Sequence, residues 1–83
     1  YTLSLIEKPQ LRRGSRSELV RRVQQVLKDG RFYKGIVDGD FGRQTEEAVK
    51  ALQKEHNPSG VNGIINDETW QALVELATML TSN

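Results

Sequence analysis

The stretch Asp38-Gly39-Asp40-Phe41-Gly42 concentrates the residues best suited to chemistry. Carboxylates at its first and third places open like a calcium loop, which takes a bidentate acid at its twelfth place. That place is Val49, which offers no oxygen, so no metal is expected. The work left for Asp38 is to accept hydrogen bonds from its own turn amides, with Gly39 and Gly42 supplying positive backbone angles. A helix beginning just after Gly42 would present free amides that can receive a ligand carboxylate. Phe41 has Ile65 as its counterpart in a second stretch, so burial is expected. Were it exposed beside Tyr33, the pair would form a platform for the apolar face of a sugar.

The remaining reactive residues are sparse. Cysteine is absent, which excludes a thiolate nucleophile, a disulfide framework and a thiolate zinc site. His56 is the one histidine, lies at a helix end, and has no second nitrogen or sulfur ligand near it in sequence, so it makes no metal site. Ser15 and Ser17 read as helix caps rather than members of a catalytic triad. No catalytic residue and no cofactor are expected.

The elements that must position these residues are helices. Val37-Asp38-Gly39-Asp40-Phe41-Gly42 runs into a helical pattern from Arg43 to about Glu55 that buries Thr45, Ala48, Val49 and Leu52. An offset of 24 residues repeats the plan as Val61-Asn62-Gly63-Ile64-Ile65-Asn66, followed by a helix that starts after Asn66 or Asp67. That helix buries Trp70, Leu73, Leu76, Ala77 and Leu80. Retention of the turn glycine together with the apolar helix positions marks one turn-helix unit used twice. Before both units, Leu19, Val20, Val23, Val26 and Leu27 give a further helix one apolar face, with Arg21, Arg22, Gln24, Gln25 and Lys28 pointing elsewhere. Ser15 and Glu18 fit a capping box that starts this helix near Arg16. Gly30 is expected to end it in the left-handed conformation, and Phe32 or Tyr33 to close the open end of the core. The fold class expected is all-α, a compact three-helix bundle with two pseudo-repeated turn-helix units and a short N-terminal extended arm. The arm or linker spans 1–8, the domain 9–80, and a frayed tail 81–83.

At 83 residues the chain is one domain with a small core. It begins at Tyr1, and it is expected to be a piece of a longer protein whose targeting signal lies outside it. No apolar run approaches the ~20 residues that cross a bilayer. Net charge is +1, yet Arg12 to Lys34 hold eight basic residues against Glu18 and Asp29, whereas the chain from Gly35 onward holds three basic and eight acidic residues. The segregation fits intramolecular complementarity, or a basic face that meets an anionic partner.

The ordered set Pro9, Leu11, Arg12, Gly14, Ser15, then Val20, Val23, Gln24, Leu27, then Val37-Asp38-Gly39, Phe41-Gly42, Thr45, Ala48-Val49, Gln53, and lastly Val61, Gly63, Thr69-Trp70, Ala72-Leu73 resembles the three-helix peptidoglycan-binding domain over residues 9 to 77. The resemblance implies a noncatalytic, monomeric wall-binding module of the cell envelope. It would sit beside a covalently linked hydrolase, amidase, carboxypeptidase or transpeptidase domain and contact the glycan or the stem peptide of peptidoglycan. Arg43 and Asp67 stand where the family commonly has proline, Leu52 where it has an aromatic, and Asn62 and Asn66 where it often has aspartate and glycine. The expected contact surface is the concavity between the turn residues Asp38, Gly39, Asp40, Phe41, Gly42 and Thr45, with Tyr33, Arg13 and Lys34. Two readings of other classes stand beside this one: a protein-interaction adaptor on the same scaffold, and a nucleic-acid-binding domain using the arginines of the first helix. The acidic remainder and the long glycine turns argue against nucleic acid.

Overall fold

The computed structural model describes residues 8–81. Among the described residues three α-helices carry the fold: α1 (Glu18–Asp29), α2 (Arg43–His56) and α3 (Asp67–Thr81), with a 3₁₀ turn, Pro58–Gly60, after α2. The expected all-α architecture is therefore present. The arm expected at 1–8 falls, apart from Lys8, outside the described residues. Of the tail, Thr81 is helical, its hydroxyl donating to Ala77 O at 3.1 Å, while residues 82–83 lie outside.

Each helix turns its apolar stripe inward. Val20, Val23, Val26 and Leu27 of α1 meet Ala48, Val49 and Leu52 of α2 and Trp70, Leu73 and Ala77 of α3. Leu76 and Leu80 are only partly buried. Phe41 and Ile65, the matched residues of the two turns, are both core residues. The approach to α1 ties the halves together. Leu11 exchanges backbone hydrogen bonds with Ile65 (3.1 and 2.7 Å), and Ser15 and Ser17 pair with Phe41 and Gly39 (2.9 and 3.1 Å). Trp70 Nε1 donates to Pro9 O at 2.6 Å, fixing the start of this strap against α3.

The helix ends correct three expectations. Ser17, not Ser15, caps α1, its Oγ accepting from Val20 N at 3.2 Å, and Ser15 Oγ accepts instead from Arg12 N within the preceding turn. Gly30 has φ −81°, and the left-handed residue is Arg31 at φ 68°. The bonds Phe32 N→Leu27 O and Arg31 N→Lys28 O complete a Schellman ending with arginine at the place glycine usually takes. Glycine is needed at position 30 because a Cβ there would lie 2.8 Å from Leu76 Cδ2 of α3. Gly42 has φ −97° and is the N-cap of α2, so positive φ belongs to Gly14, Gly39 and Gly63, each three residues before a helix cap.

Gln24 does not point away from the core with Gln25; it is 0% exposed. Polar by type, it sits between Val20 and Leu27 at spacings of four and three, on the buried stripe. Gln53 holds the matching place on α2 and is buried as well. Both carboxamides are fully partnered, so truncation strips partners from buried amides that have no water to replace them. Gln53→Ala is expected to lower unfolding free energy by about 2–4 kcal/mol in chemical denaturation. Gln25→Ala, at an exposed neighbouring position, should stay within about 0.5 kcal/mol.

Candidate ligand-binding site

The two buried glutamines build the two turns in the same way. Gln24 Oε1 accepts from Asp38 N and Gly39 N at 3.0 and 2.8 Å, and Gln53 Oε1 accepts from Asn62 N and Gly63 N at 3.0 and 2.9 Å. Gln24 Nε2 donates to Asp38 Oδ1, Asp40 O and Thr45 Oγ1, and Gln53 Nε2 donates to Asn62 Oδ1, Ile64 O and Thr69 Oγ1, all within 2.8–3.1 Å. Asp38 and Asn62 then each accept from the amide two residues on, at 2.9 Å in both copies. The 24-residue offset therefore carries over each of these partners, whereas the Tyr33 hydroxyl, 3.4 Å from Gln24 Nε2, joins the first clasp alone. The glutamines themselves break the offset, because the first connection is five residues longer than the second. Tyr33 lies in that extra length, its hydroxyl donating to Ile36 O at 2.6 Å.

This geometry redistributes the expected contact residues. Tyr33, Phe41 and Thr45 are buried, Tyr33 and Phe41 in the core and Thr45 on Gln24, so the exposed Phe41–Tyr33 sugar platform is not formed. Gly39 is also buried, its N–H on Gln24. Asp38, Asp40, Arg13 and Lys34 are exposed. Arg16 Nε approaches Asp40 Oδ1 at 4.0 Å, and Arg13 Nη1 lies 3.8 Å from Glu46 Oε1. Lys34 instead lines a cleft with Gln44 and Glu47. Glu46 and the Gln44–Glu47 pair lie on different faces of α2, so Arg13 and Lys34 do not share one concavity.

What the structure does bring together is a trough along α2. Gln44, Glu47, Ala48, Leu52, Glu55 and His56 form one helical stripe, about 18 Å long at 1.5 Å per residue. At its start a cleft of about 230 Å³ lies between this stripe and Phe32, Lys34 and Gly35. At its far end a recess of about 60 Å³ is lined by Asn57, Asn62, Asn66, Glu68 and Ala72, among others. Gln44 and Ala48 of the first cleft correspond to Glu68 and Ala72 of the second at the same 24-residue offset. Between them a groove of about 220 Å³ shares Phe32 with the first cleft and His56 and Ala72 with the second. A separate recess beside Lys8, Trp70 and Val74 takes no wall from either clasped turn.

The helix starts flanking the trough differ. Asn66 Oδ1 caps α3 by accepting from Thr69 N at 3.0 Å, whereas Gly42 gives α2 no side-chain cap. The turn carboxylates differ too. The Asp40 N–H, then the Gln24 carboxamide, hold the Asp38 carboxyl below the usual carboxylate range against an opposing desolvation, with Arg16 as the least of the aids. A depressed folded pKa gives stability that is present above the unfolded value and lost as pH falls through the folded one. Asp38→Asn, which copies Asn62, is therefore expected to remove the ionised carboxyl's contribution at neutral pH and to flatten the fall in stability below about pH 4. Thermal melts across the acid range read this directly.

The chain matches the family described as "Putative peptidoglycan binding domain" over residues 16–73. It is 37% identical over 62 residues to N-acetylmuramoyl-L-alanine amidase CwlM of Mycobacterium tuberculosis, covering 75% of this chain and 15% of that protein. The structure superposes on the SleB N-terminal domain with a TM-score of 0.78 and 34% identity, covering 84% of this chain and 94% of that one.

Proposed function

We propose that this chain, which belongs to the peptidoglycan-binding domain family, acts as a noncatalytic module that holds a larger envelope protein to peptidoglycan. The observation that carries the reading is the family match over residues 16–73, because that span contains both glutamine-clasped turns and all of α2. Asp38 and Thr45, the polar side chains of the first turn, are engaged by Gln24, and the clefts are shallow and polar-rimmed. Such a surface suits docking of an extended polymer more than activation of a nucleophile.

Ligand contact falls to the exposed members of the expected set. Lys34 stands over the first cleft beside Gln44 and the uncapped start of α2, where unshared amides and the helix dipole favour a carboxylate. Asp38, Asp40 and Arg13 border the first turn, and Gly39, Phe41, Gly42, Tyr33 and Thr45 shape it from within. Single contacts of this kind bind modestly, and linkage to a catalytic domain or a second repeat raises the effective affinity. Because the chain spans about 15% of the amidase relative, an accompanying hydrolase domain belongs to this proposal. So does an extracytoplasmic location. Among the described residues, no helix is long and apolar enough to cross a membrane.

The test is retention of the 83-residue chain on purified insoluble sacculi. Specific retention is expected, with Lys34→Glu reducing it several-fold and leaving the melting temperature unchanged. Retention no better than that of an unrelated helical domain of the same size overturns the reading. A duplex-DNA shift that falls steeply with salt would mark phosphate binding instead.

A further inference from the structure

The middle of the trough has a chemistry distinct from its ends. Phe32, Leu52, Leu76 and Met79 give it an apolar floor, and Met79 is 71% exposed although Leu52, which lines the same groove, is a core residue. Glu55 and Glu75 line the same groove. Among the described residues Glu55 has no ion-pair partner, and Glu75 has only the His56 imidazole, with Nδ1 3.8 Å from Oε2. Toward the ends, Glu47 is paired with Arg43 at 3.5 Å and Lys34 lines the first cleft, while Glu68 lines the second, so the unanswered negative charge is centred on the groove.

We propose that this groove binds the alkyl-ammonium side chain of a peptide. An apolar floor between two carboxylates complements methylene groups that end in a cation, the amphipathic character of lysine-like side chains. An anionic polymer would be repelled here, and a neutral sugar would leave both carboxylates unanswered. The inference rests on the wall-binding reading and narrows it. The part of peptidoglycan held at the groove is the stem peptide, through the free amine of its diamino acid, while the clefts on either side take flanking backbone. The stripe of about 18 Å matches about five extended residues at ~3.5 Å each.

The experiment is an NMR titration of the chain with two soluble stem peptides, identical except that one has its side-chain amine acetylated. The free-amine peptide is expected to bind about fivefold more tightly, the scale of an exposed ion pair, and to shift the methyl signals of Leu52, Leu76 and Met79. The double variant Glu55→Gln/Glu75→Gln is expected to bind both peptides equally and to melt with the parent, since both side chains are exposed. Equal affinity of the parent chain for both peptides overturns the proposal, as does a preference that survives in the double variant. Either result with sacculus retention intact leaves the wall reading standing, whereas loss of retention by the parent chain overturns that reading itself.

Discussion

One side-chain type in one environment governs this molecule: a carboxamide sealed inside a helix interface and made to satisfy a turn. A buried amide without partners costs a few kcal/mol, so Gln24 and Gln53 could not sit among valines and leucines unless the chain came back to meet them. The returning chain does so in a single conformation. Two backbone N–H groups point at Oε1, while a carbonyl, an Asx oxygen and a threonine hydroxyl gather at Nε2. Positive φ at Gly39 and Gly63 lets the backbone turn into this arrangement. At Gly39 a Cβ would stand 3.0 Å from Ser17 O, and at Gly63 one would stand 2.8 Å from Glu46 Cγ, so close approach reinforces the demand.

The rest of the architecture follows from doing this twice. Each clasp fixes where the next helix starts, which sets how α2 and α3 lie against the connections before them. The stripe of α2 facing those connections becomes the floor of a trough with a related cleft at each end. The copies then diverge where the clasp does not constrain them. Asp38 and Asn62 both use Oδ1 for the clasp, which leaves a carboxylate oxygen at one turn and a carboxamide nitrogen at the other. Gly42 leaves α2 uncapped, whereas Asn66 caps α3. Duplication thus supplies the shape, and divergence gives the two ends different chemistry.

Much of this was legible in the residues. The doubled glycine turn, the three helices and the burial of Trp70, Val49 and Leu73 follow from pattern and spacing, and the family from the resemblance of the ordered motif set. The clasp did not, because helical periodicity weighs residues by polarity, and a glutamine on an apolar stripe looks like an exposed interruption. The signal was present in the geometry of the stripe, since Gln24 lies four residues from Val20 and three from Leu27. Unequal connections before the two turns hid the correspondence of Gln24 with Gln53. The left-handed residue at 31 was missed for a related reason: glycine next to it was the obvious choice, and only the packed Leu76 shows why that glycine is where it is. Tyr33 and Phe41 close the core, as their types and the matched Ile65 suggested, and this burial removes them from the exposed contact surface.

The central claim is that two buried carboxamides hold both turns as parts of the core rather than as surface loops. Native-state hydrogen exchange at the amides of Gly39 and Gly63 tests it most directly. If the claim holds, both amides exchange only through global unfolding, at the free energy of the core amides of α1, despite lying in glycine turns. Exchange at either glycine as fast as at the exposed turn residue Ser59 would contradict it.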